Sequence, residues 1–168
     1  MIDPYTNSET NSNSVNYERS LRRLARSIAL SQGQFSLILA CCNSLPLREQ
    51  LVTRLHELSP IEIQELILHP SVNKLFTTIQ VALAEEQPPA LMVFGLESVI
   101  TLEQLLKATN LVREEFRKQF AFPLILWVND DILQKLTRIA PDFRSWGANS
   151  IRFDLNNPQP IDLRINSA

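Results

Sequence analysis

Three runs in this chain are apolar at consecutive positions: FSLILACC (Phe35–Cys42), ALMVFGL (Ala90–Leu96) and PLILWVN (Pro123–Asn129). A strand with one wet face alternates apolar and polar residues. A strand apolar on both faces must be covered on both, which is the environment of a parallel sheet between two layers of helices. The segments between the runs carry helical periodicity. Pro46 suits a first helical turn, and Leu47, Leu51, Leu55 and Leu58 form a buried stripe behind it. Ser71 is placed to cap a helix over Val72–Gln87, with Leu75, Ile79, Ala82 and Leu83 inward and Pro88-Pro89 ending it. Thr101 and Gln104 make a capping box for a helix reaching Phe120. Asp130 or Asp131 caps the helix carrying Ile132, Leu133, Leu136 and Ile139, with Pro141 and Gly147 at its exit.

Two weaker strands complete the alternation. Ile61–His69 is mixed in character and holds a short strand near Gln64–Leu68, and Ser150–Leu155 alternates as a strand at or near an edge. Before the first run, Tyr17, Leu21, Leu24 and Ile28 line one face of a helix over Tyr17–Leu30. Arg19, Arg22, Arg23 and Arg26 occupy the rest of it, and Gly33 breaks it. Residues 1–16 are rich in Asn, Ser and Thr and read as a disordered tail; 17–155 read as one α/β domain, and 156–168 as a C-terminal tail in which IDLRI adds at most a short strand. The expected fold is a three-layer α/β domain with a mostly parallel sheet of about five strands.

A length of 168 residues suits one domain with a sizeable core. The net charge of −2 argues against a general nucleic-acid binder, which needs a basic excess. No apolar run approaches the roughly 20 residues of a membrane span, and the N-terminus lacks the basic and apolar regions of a secretory signal. The two cysteines, Cys41 and Cys42, are adjacent at the end of a buried strand, which points to inert thiols in a reducing, cytoplasmic compartment. His56 and His69 have no partners at metal-ligand or catalytic spacing, so no metal site and no catalytic residue is expected. No serine lies in a GxSxG elbow.

In an open α/β sheet, ligands bind outside the carboxyl ends of the strands. The first run ends in Cys41, Cys42, Asn43 and Ser44, where a phosphate loop would sit. That loop needs glycines, a lysine and a hydroxyl in the pattern GxxxxGK[ST]. Neither glycine nor lysine is present, and no lysine occurs before Lys74. Ser44 offers a hydroxyl at the helix start, and Arg48 stands one turn in. Glu97, just past the second run, is where a carboxylate would orient magnesium or water. Asn129, at the end of the third, is placed either to sense a phosphate or to cap the next helix, the commoner role. Ser44, Arg48, Glu97 and Asn129 are thus the candidate ligand-binding residues. REEFRK (Arg113–Lys118) reads as exposed, mixed-sign helix surface.

The segments SLILACCNSLPLREQLVTRL, PPALMVFGLESV and LVREEFRKQFAFPLILWVNDDILQKLTRIAPDFRSW, in that order, resemble the NTPase-like domain found ahead of tetratricopeptide or WD repeats in cyanobacterial signalling proteins, a relative of the STAND-type P-loop ATPases. The resemblance runs from Phe35 to Phe153, and FPLILWVNDDILQKLTRIAPDFRSW is its most specific part. It implies sheet order 5-1-4-3-2, a Walker-B-like strand ending at Glu97 and a sensor strand ending at Asn129. STAND ATPases are switches in which nucleotide state governs assembly. This chain departs from them in lacking the phosphate loop, and no repeat array follows within its 168 residues.

The leading reading is a non-catalytic P-loop-like regulatory or protein-interaction module, without a cofactor, whose partners are other proteins such as homologous ATPase or repeat domains. The alternative is an ATP-binding STAND-type switch in which Arg48 or the arginines of the first helix replace the lysine and Glu97 holds magnesium. A third reading has Arg22, Arg23 and Arg26 dock on nucleic acid or a membrane surface.

Overall fold

Parallel pairing accounts for the doubly apolar runs. The computed structural model describes residues 6–147 and 150–153, with side chains from Tyr17 onward. Its elements are α1 (Thr6–Leu30), β1 (Ser36–Cys42), α2 (Leu45–Leu58), β2 (Gln64–Ile67), α3 (Leu75–Leu83), β3 (Leu91–Phe94), a 3-10 turn (Leu96–Ser98), α4 (Leu102–Leu111), α5 (Arg113–Gln119), β4 (Pro123–Val128), α6 (Asp130–Ile139), α7 (Pro141–Ser145) and β5 (Ile151–Phe153). The five strands form one sheet in the order β2-β3-β4-β1-β5, with every pair parallel. Counted from the other edge this is 5-1-4-3-2, the order the resemblance implies. β3 and β4 are buried at every position and β1 at all but its first, whereas the edge strand β2 is mostly exposed.

Side chains alternate between two cores, as the strand pleat requires. Leu37, Leu39 and Cys41 of β1 meet helices α3 to α7 on one face through Leu75, Ile79, Leu105, Phe116, Leu136 and Phe143. Ile38, Ala40 and Cys42 meet α1 and α2 on the other through Leu21, Leu24, Ile28, Leu51 and Leu55. The three-layer α/β fold with helices on both faces is the class expected from the sequence.

Local differences have identifiable causes. α1 begins at Thr6 rather than Tyr17, inside the stretch read as a tail; residues 1–5, and the IDLRI stretch within 156–168, lie outside the described residues. Ser71 does not cap α3, because its hydroxyl is held 2.7 Å from His69 Nδ1 and the helix starts only at Leu75. α3 also stops early, at Leu83, and Ala82 is exposed rather than inward. The side chain of Gln87, expected to end that helix, bonds the backbone of Gln119 and Ala121 instead. Thr101 stands at the start of α4 without a side-chain capping bond, since its ψ of 51° is far from the extended backbone of a capping residue. The long helix expected after it is two, parted at Val112. REEFRK is not wholly surface: α5 delivers Phe116 into the core, where it is fully buried. Neither Asp130 nor Asp131 caps α6; both lie in its first turn, and Asn129 caps it, accepting from the Ile132 N–H at 2.8 Å.

Candidate functional site

The topology puts one crevice at the centre of the carboxyl edge. The chain leaves β1 through α2 toward β2, and leaves β4 through α6 and α7 toward β5 on the opposite side. β1 and β4 are neighbours, so their ends form the point where strand order reverses, the usual ligand position of such sheets.

Here the mouth of the crevice is bridged by hydrogen bonds within the protein. Between Cys42 of β1 and Leu45 of α2 the turn is only Asn43 and Ser44, too short for the four residues that separate the glycines of GxxxxGK. Asn43 Nδ2 donates to Asp130 Oδ2 at 2.9 Å, and the Asp130 backbone N–H donates to Asn43 Oδ1 at 2.9 Å. Arg152 of β5 donates to the other carboxylate oxygen of Asp130, and the Cys41 thiol lies 3.5 Å from that oxygen. The Arg152 guanidinium, and then the Asn43 amide, hold the Asp130 carboxyl below the usual carboxylate range.

The start of α2 offers little to an anion. A helix N-terminus binds phosphate through its free N–H groups. Pro46 has none, and the Leu47 N–H is taken by Ser44 Oγ at 3.3 Å, which leaves the N–H groups of Ser44 and Leu45 of the first four.

The sequence-derived candidates divide accordingly. Ser44 is a helix cap. Arg48 and Glu97 are brought together: Arg48 Nη1 donates to Glu97 Oε1 at 3.0 Å, with both side chains largely buried. The Arg48 guanidinium also lies 5.3 Å from the Phe94 ring centre. Each of the two charges is thereby neutralised by the other. Asn129 caps α6 and shares with Glu97 and Lys135 the wall of a cleft of about 440 Å³. A second cleft, of about 520 Å³, lies beside Arg48 between α2 and the ends of β2 and β3. The arginines of α1 stay apart from all of these. Arg19, Arg22, Arg23 and Arg26 are exposed, and Arg22 pairs with Glu18, which also pairs with Arg54 of α2.

Among the described residues no group of three or more His, Cys, Asp or Glu side chains is arranged to hold a metal, and no helix is long and apolar enough to cross a membrane. Sequence reasoning missed the Asn43–Asp130–Arg152 cluster. Its three members are 87 and 22 residues apart, and only the strand order shows that they meet.

No family model matches the chain, and no curated protein matches it. Among solved structures it is similar to the P-loop NTPase domain of the sigma-54 transport activator from E. coli, at 18% identity and a TM-score of 0.45, over 84% of this chain and 96% of that one.

Proposed function

We propose that this chain is a non-catalytic P-loop-like module that serves a signalling system by binding another protein, in the manner of STAND-related domains that have lost nucleotide turnover. One observation carries the reading. The two-residue turn after β1, bonded across to Asp130, occupies the position where a phosphate loop would wrap its anion. The Arg48–Glu97 pair supports it, because each charge would have to leave the other before touching a nucleotide or magnesium.

Calorimetric titration with ATP and magnesium tests the reading. The expected result is no binding heat beyond dilution and no phosphate release above a buffer blank. A micromolar dissociation constant would overturn it in favour of the ATP-binding switch.

A further inference from the structure

β2 is a sheet edge with an unfilled flank. It pairs with β3 alone among the described strands. The Gln64 N–H donates to Ala90 O and the Leu68 N–H to Phe94 O, both at 2.9 Å. Alternate residues of a parallel strand bond the same neighbour, so the N–H and C=O groups of Glu65 and Ile67 point away from β3. Their side chains share one face with Ile63, which packs in the α1–α2 core. Yet Ile67 is 76% exposed there.

Beside it runs the cleft of about 520 Å³, walled by Val52, Ile67, Leu68 and Phe94 and rimmed by Glu49 and Glu65. Among the described residues Glu49 has no ion-pair partner and Glu65 has only His56, at 3.6 Å, while Arg48 is committed to Glu97. The rim is net negative over an apolar floor, and the strand beside it offers backbone groups that are unpaired among the described residues. These are the requirements of strand addition, in which main-chain bonds give affinity and alternate side chains give specificity.

We propose that the free edge of β2 takes an extended segment of a partner protein carrying a basic and an apolar residue two positions apart. The basic side chain meets Glu65 and Glu49, and the apolar one covers Ile67. The inference rests on reading the chain as a protein-binding module and names the kind of partner it binds. Phosphate-bearing ligands are disfavoured at this edge by the same two carboxylates.

The probe is a fluorescein-labelled peptide, Ser-Gly-Thr-Lys-Thr-Val-Thr-Ser-Gly, with its reversed sequence to cover both strand directions, titrated by fluorescence anisotropy. At least one is expected to bind. Ile67→Pro removes an outward N–H that β3 does not use, as an edge strand tolerates, and is expected to abolish binding. Glu65→Lys, an exposed substitution that leaves the backbone intact, is expected to weaken it by about tenfold or more. A peptide with Glu in place of Lys is expected to recover binding to that variant.

Absence of binding by both peptides at about 1 mM, or binding that neither variant changes, overturns the proposal. So does a concentration-dependent dimer that dissociates in Ile67→Pro, since the occupant is then a second copy of this chain. The ATP titration separates the two readings. Peptide binding alongside tight ATP binding supports this surface and removes the non-catalytic assignment. Silence toward both removes the surface and leaves that assignment standing.

Discussion

Asn43 and Asp130 are joined twice, amide to carboxylate and backbone N–H to amide oxygen, each at 2.9 Å, across the mouth of the β1–β4 crevice. Arg152 adds a third tie from β5, so one carboxylate links the ends of three strands. The pH dependence follows from the sign of the shift. The folded carboxyl is held below its ordinary value, chiefly by Arg152 and then by Asn43. Its contribution is therefore full above the unfolded value of about 4 and is lost as the pH falls through the lower folded value. Asp130→Asn is expected to lower the melting temperature at neutral pH and to converge on the wild type as the pH falls below the lowered folded value, as followed by circular dichroism. Parallel curves at every pH would show that the carboxylate charge is not what matters.

The Arg48–Glu97 pair is expected to behave as a structural link. Both side chains are mostly removed from water, at 17% and 22% exposure, so the pair is screened less than a surface ion pair. A double-mutant cycle with Arg48→Met and Glu97→Gln should give a coupling energy of about 0.5–1.5 kcal/mol in urea unfolding. Each single substitution should cost more than the pair, because it leaves one charge unpartnered. A coupling near zero would mean that the two charges are held in place by other groups and are available to a ligand.

The layers of this fold were legible because runs such as LILACC and LMVF admit few other environments, and because Leu51, Leu55, Ile79 and Leu136 keep helical spacing against them. Caps were less legible. Ser71 and Thr101 have the right side chains for capping, but one is taken by His69 and the other has the wrong backbone angle. Asn129, adjacent to two acids equally suited by type, takes the cap because it is the last residue before the helix. The site was half legible. The missing glycine and lysine are plain in CCNSLPLR, but what fills their place depends on Asp130 and Arg152, and distance along the chain carries no information about that contact.

Gly95 is a position where the backbone demands glycine. Its φ is 96°, and a Cβ there would stand 3.1 Å from Leu68 O and 3.3 Å from Leu68 N, both main-chain atoms of the segment leaving β2. Gly95→Ala is therefore expected to cost about 1–3 kcal/mol and to lower the urea midpoint with an unchanged slope. The strain also falls on Leu68, whose N–H bonds Phe94 O. Hydrogen exchange of that amide should accelerate more than those of β1. A neutral substitution would show that the turn before Leu96–Ser98 can re-form with a different φ.

Ala84 offers the opposite case, with a stabilising change expected. It terminates α3 in the left-handed region, φ 48° and ψ 49°, and its N–H bonds Gln80 O. Glu85 follows at φ 71°, so two consecutive side-chain-bearing residues hold a conformation that glycine adopts without steric cost. Ala84→Gly relieves the strain but makes the unfolded chain more flexible, and the two effects oppose each other. The first prevails where φ is positive, so a gain of up to about 1 kcal/mol is expected. Replacing Val81, which is 73% exposed on the same helix, by Gly should instead cost about 0.5–1 kcal/mol, since its backbone is helical. Thermal unfolding of the two variants side by side checks the pair. If both lose stability equally, the helix end is not strained and Ala84 is simply an ordinary helical position.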